Sequence, residues 1–173
     1  MTSYDIIFTP FQEKIAQDVG FFIYDGLTVT QTEDMISRRC TSYLNKAIME
    51  FNSKAKTTVD FNNRDEIMET FNFDLNGTEI DIFIDLLYIE HMSQDITKLK
   101  VISPYLNESE ISKIFSPASE RKTYMDMINL LKSDVFLKIK KYNGVNRDTG
   151  KVKLPTNDTS KIEAKYEYWF RVY

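Results

Sequence analysis

Between Asn76 and Ile102 lies the densest run of apolar residues in the chain, with helix-start signals before it and Ser103-Pro104 after it. Ile80, Phe83, Ile84 and Leu87 fall on one side of a helix, and Ile82, Leu86 and Ile89 on the opposite side. A helix that is apolar nearly all round has no face to give to water, so it needs neighbours on several sides. This demand constrains the fold more than any other feature: the rest of the chain must wrap a central buried helix over about residues 78–102. Asn76 or Thr78 can cap it, with Glu79 or Asp81 three residues on closing a capping box. Ser103-Pro104 is expected to end it, because a proline pushes the residue before it out of the helical region.

The clearest neighbour begins at Thr30 or Thr32. Ile36, Cys40, Tyr43, Leu44, Ala47, Ile48 and Phe51 recur at amphipathic-helix spacing as far as about Lys54. Arg38, Arg39, Asn45, Lys46 and Glu50 lie off that stripe and are expected to face water. A second neighbour follows Ser116-Pro117, with Tyr124, Ile128, Leu131, Val135 and Ile139 on one face and Met127 and Leu130 widening it. Asn143-Gly144 is its end signal, although Val135 to Tyr142 also has strand character. Before it, Asn107 and Glu110 form a capping box for a short helix carrying Ile111, Ile114 and Phe115. At the other end of the chain, Pro10 after Thr9 fits a first helical position, so an extended or helical lead-in should precede a short helix. Phe21 to Thr28 reads as an aromatic connector with a turn at Asp25-Gly26. Lys56 to Asn72 reads as irregular, with a turn at Asn62-Asn63 and a helical turn around Ile67, Met68 and Phe71.

A chain of 173 residues, 42% of them apolar, can bury such a core as one domain without staples. The expected organisation is a helical domain over residues 1–142, then a loop and C-terminal strand or arm over 143–173. The fold class is mainly α, a bundle around the central helix. The net charge of -4 argues against a dedicated nucleic-acid binder, which would normally carry a basic face. One cysteine excludes an internal disulfide, and no charged-then-apolar leader opens the chain. Asp81, Asp85 and Glu90 interrupt the longest apolar run, so no membrane span is expected.

The last residues alternate strictly. Ile162, Ala164, Tyr166, Tyr168, Phe170 and Val172 share one face, and Glu163, Lys165, Glu167 and Arg171 the other, with Trp169 and Tyr173 among them. Period and aromatic content make this a strand, and a strand must pair its backbone and bury one row of side chains. Its partner is either another segment of the same chain, such as Lys151 to Leu154, or a neighbouring subunit reached by strand addition. A chain ending on so apolar an edge invites association. Ile162, Tyr166, Tyr168, Trp169, Phe170, Val172 and Tyr173 are therefore the candidate partner-binding residues.

Chemistry is sparse. His91 is the single histidine, beside Glu90 and with Asp95 at i+4; the expected role is a helix-surface histidine paired with a carboxylate rather than a metal ligand or base. Cys40 lies on an apolar stripe, where a thiol acts as a small hydrophobe. Asp81, Asp85 and Glu90 read as the wet edge of a core helix more readily than as a cation site. There is no Walker loop, dinucleotide glycine pattern, nucleophile elbow or zinc spacing, so no catalytic residue, metal or cofactor is expected. Lys138, Lys140, Lys141, Arg147, Lys151 and Lys153 form the one local basic cluster. It reads as solvated lysines or a basic arm meeting an acidic partner more readily than as a nucleic-acid contact.

Three stretches carry a resemblance: Ser3-Tyr4-Asp5 with Phe11 and Lys14-Ile15; Tyr43-Leu44-Asn45-Lys46-Ala47-Ile48 with Phe51; and Phe71-Asn72-Phe73-Asp74-Leu75 running into Glu79-Ile80. Together they resemble the head-to-tail connector, or adaptor, proteins of the neck of tailed phages. Pro10 departs from that family's uninterrupted first helix, and the segment after Tyr142 exceeds its compact end. The resemblance implies a non-enzymatic virion structural protein, assembled in the host cytoplasm. By the same likeness it would form a homo-oligomeric ring, twelve-fold, bound to the portal protein and other neck or tail proteins, with extended arms and DNA passing nearby without sequence-specific binding. A phage tail or baseplate structural protein is the alternative within that class. A small intracellular regulatory or DNA-binding accessory protein is the alternative outside it.

Overall fold

The computed structural model describes residues 1–106 and 117–153. Over these residues the fold is mainly α, five helices packed together with a small N-terminal three-strand antiparallel sheet. The order is β1 (Thr2–Ser3), α1 (Asp5–Lys14), α2 (Val19–Phe22), α3 (Val29–Lys54), β2 (Arg64–Asp65), β3 (Thr70–Phe71), α4 (Gly77–Leu106) and α5 (Pro117–Asn143).

Helix α4 packs against α1, α3 and α5 at once, as its apolar circumference requires. Ile82, Phe83, Leu86, Leu87 and Ile89 are buried on both of its sides, with Ile80 and Ile84 half-buried. Asn76, not Thr78, caps it. The Asn76 side-chain oxygen accepts the Glu79 amide at 2.9 Å, and the Glu79 carboxylate accepts the Asn76 amide at 2.9 Å. Ser103-Pro104 does not end the helix, which continues to Leu106. Proline forfeits one backbone bond and crowds one carbonyl; in a helix already long, that loss does not outweigh propagation.

Helix α3 buries Cys40, Tyr43, Leu44, Ala47, Ile48 and Phe51, as their spacing predicts. It starts earlier than Thr30, because Thr28 and Gln31 form a reciprocal capping box: the Thr28 hydroxyl accepts the Gln31 amide at 3.3 Å and Gln31 Oε1 accepts the Thr28 amide at 2.9 Å. Thr28→Ala should therefore cost about 1 kcal/mol, read as a lowered denaturant midpoint. No change would mean that water replaces the cap. Arg39, expected in water, is half-buried: its guanidinium lies 4.3 Å from the Phe21 ring centroid and donates to Tyr24 Oη at 2.6 Å. A long stem and a planar cation cover aromatic surface well.

Pro10 lies inside α1, not at its start. The helix persists around it because Ile7, Phe8 and Phe11 are buried on one face, and that burial exceeds the cost of one missing backbone bond. The aromatic connector contains the single turn of α2. The stretch around Ile67 and Met68 is not helical. It forms the turn of the β2–β3 hairpin, where Asp65 Oδ1 accepts the amides of Ile67 and Met68 at 2.9 and 3.0 Å, and Ile67 is 93% exposed. In the β1-β3-β2 sheet Phe71 stands opposite Thr2 on one side and Arg64 on the other. Phe71 itself is buried against Tyr4, Phe61, Phe73 and Phe83.

Helix α5 stays helical through Val135 to Tyr142. Ile128, Val135, Ile139 and Tyr142 form its buried face. Met127 and Leu130 do not widen that face; both are exposed, Leu130 to 63%, and Tyr124 also stands out of the core. The principal neighbour of α5 is α4, and one neighbouring helix covers only a narrow stripe. The Gly144 amide donates to the carbonyls of Lys140 and Lys141, so Asn143-Gly144 is the stop. The short helix expected around Ile111 and the strand from Ile162 lie outside the described residues. No helix among the described residues is long and apolar enough to cross a membrane.

Candidate functional site

Residues 144–153, which read as a polar loop, turn back as a short hairpin bridged at Val145 and Val152, with Gly150 at φ 65° completing the turn. This hairpin brings Arg147 to the start of α4. Glu79 there is fully buried. Its Oε1 accepts Arg147 Nε at 2.7 Å and Tyr142 Oη at 2.7 Å, and its Oε2 accepts Arg147 Nη2 at 3.1 Å. A two-pronged guanidinium–carboxylate pair is the strong form of this contact. The bonds from Glu79 raise the pKa of Arg147 further, while burial, together with that carboxylate, pushes the Tyr142 phenol up to about 12. Next to this network Asn76, Thr78, Lys141 and Asn146 border a cleft of about 660 Å3.

The basic cluster therefore divides. Arg147 is spent on Glu79, and Lys138 Nζ lies 2.6 Å from both Asp81 Oδ2 and Asp85 Oδ2. Lys140, Lys141, Lys151 and Lys153 are exposed. Asp85 also takes Lys14 at 2.7 Å, so one carboxylate ties α1 and α5 to α4. Burial would raise the Asp85 pKa, but the bonds from Lys138 and Lys14 outweigh it and hold it below its ordinary value. Glu90 pairs with Lys46 of α3. Asp81, Asp85 and Glu90 are thus the charged edge of a core helix, each answered by a lysine.

His91 departs from its expected surface position. Only 4% of it is exposed, and its ring lies against Phe11, Phe21 and Tyr43, with centroids at 6.2, 5.5 and 6.3 Å. Its Nε2 reaches the edge of the core. There it lies 3.2 Å from Asp18 Oδ2 and 3.7 Å from Asp95 Oδ2. Asp95 is the i+4 partner seen in the sequence. Asp18 comes from the turn after α1, held by its own amide on the Ile15 carbonyl at 2.8 Å and by its carbonyl on the Phe21 amide at 3.0 Å. Sequence reasoning missed Asp18, because nothing local links it to α4. The trio borders a cleft of about 410 Å3 with Lys14, Tyr88 and Tyr124 on its walls. Cys40 is buried, and burial pushes its thiol to about 11, which makes it a packing residue and not a nucleophile.

Along α5, Met125, Met127, Leu130, Phe136 and Leu137 are exposed. The candidate partner-binding residues of the terminal strand, Ile162 to Tyr173, lie outside the described residues. Comparison of the chain with family models, with curated proteins and with solved structures gives no significant match.

Proposed function

We propose that this chain is a non-enzymatic structural component of a tailed-phage particle, a head-to-tail connector that works as a ring of identical copies. One observation supports the reading: the apolar residues among those that carry the resemblance converge into a single packing unit, while Ser3, Asp5, Lys14, Lys46, Asn72 and Asp74 of the same stretches are exposed. Phe11 and Ile15 of α1, Tyr43, Leu44, Ala47, Ile48 and Phe51 of α3, and Phe71 of β3 are all buried in one core, and Phe73, Leu75 and Ile80 pack against it. The exposed apolar residues of α5 supply surface for lateral contacts. The proposed arm is the alternating segment from Ile162 to Tyr173, which completes its ladder on a neighbouring copy.

Light scattering and negative-stain microscopy of the full chain, beside a chain lacking residues 161–173, test this. Ring-sized particles for the full chain and monomers for the shortened one are expected. A full chain that stays monomeric, alone and with a portal protein, sinks the proposal. A salt-dependent shift of DNA by that monomer would favour the regulator instead.

A further inference from the structure

We propose that Asp18, His91 and Asp95 form a binding site for a divalent transition metal, with zinc the best match. The inference stands on geometry and donor chemistry, independently of the assembly reading. Ligand atoms of the three residues all lie within 4.8 Å of one another. Two ligands bound tetrahedrally at zinc distances stand about 3.4 Å apart. The separations from His91 Nε2 to the two carboxylates, 3.2 and 3.7 Å, bracket that value, and the two carboxylates, within 4.8 Å of each other, would close on the ion by side-chain rotation.

The donor set also narrows the metal. One imidazole with two carboxylates suits zinc or manganese, whereas calcium and magnesium take oxygen ligands only. Two aspartates and a neutral histidine leave a dipositive ion balanced in charge. Three protein ligands leave a fourth position, and the 410 Å3 cleft gives it room for water or for a ligand from a partner. His91 is fixed by the aromatic rings around it, so it cannot swing away, and Asp18 belongs to a different segment from His91 and Asp95. A bound ion would thus clamp the turn after α1 onto α4. Lys14, on the wall of the same cleft, is engaged by Asp85 at 2.7 Å and by the Tyr88 ring at 4.6 Å.

Calorimetric titration of the chelator-treated, tag-free full chain with zinc chloride, and in parallel with calcium chloride, tests the site. His91 is the only histidine and Cys40 the only cysteine, the latter buried, so adventitious zinc has few places to go. One equivalent of zinc and no calcium should bind. Asp18→Asn and Asp95→Asn should each lose at least roughly tenfold in zinc affinity, by analogy with the sensitivity of metal sites to their supporting groups, while keeping the circular dichroism of the parent. These two positions carry the test because both side chains are partly exposed; His91→Gln should abolish binding but alters a buried group. No zinc binding by the parent chain, or undiminished affinity in either aspartate variant, overturns the proposal and leaves His91 a charge partner of its neighbours.

Discussion

Glu79→Ala is expected to cost about 3–5 kcal/mol of folding free energy, the usual result of removing one partner from a buried ion pair. The loss has three parts. Arg147 keeps its charge but loses both contacts to Glu79, Tyr142 loses an acceptor in a buried place, and the Asn76 amide loses the reciprocal half of the α4 cap. Urea unfolding at neutral pH, followed by circular dichroism, gives the number. Arg147→Ala should be nearly as damaging, since it leaves a fully buried carboxylate with only neutral donors. The double variant should cost less than the sum of the two, because the charges are removed together. Additive losses, or a Glu79→Ala cost under about 1 kcal/mol, would show that water enters and replaces the network.

The second large effect concerns Phe51. Its ring is fully buried and lies 4.9 Å from Phe61, 5.2 Å from Phe83 and 5.4 Å from Tyr142, centroid to centroid. It therefore joins α3, the segment before β2, α4 and α5 at one point. Phe51→Ala removes the ring from a place that four segments cannot all collapse to fill, and about 3–5 kcal/mol should be lost. Phe136→Ala is the matched control. That ring is half-exposed, so its truncation should fall within about 0.5 kcal/mol of the parent. Equal losses at the two positions would mean that aromatic content, and not the junction at Phe51, sets stability.

Much of the helical plan was legible before any coordinates. The α3 stripe from Cys40 to Phe51 and the two-sided apolar run of α4 are periodic over many turns, and periodicity is a local property of the chain. The Asn76–Glu79 box and the Asn143-Gly144 stop were equally legible, since capping acts within a few residues. The sheet was not. Strands of two residues have no period to detect, and Ile67 and Met68 imitated a helical turn while standing in water. Pro10 and Ser103-Pro104 misled for the converse reason: a proline's cost is local and readable, but the packing that overrides it is not.

The candidate metal trio and the Glu79 network share this division. His91 and Asp95 were visible as an i, i+4 pair, and Glu79 as a capping acid. Asp18 was one charged residue among many, and Arg147 one of a basic cluster with no visible tie to Glu79, until folding brought them across. The sequence by itself determined that a helix apolar on all sides must be enclosed, and where α3 would offer its face. Only the tertiary structure decided which distant side chains meet at the start and the middle of that helix, because contacts between remote segments depend on how helices cross and turns close, and no short-range pattern encodes either.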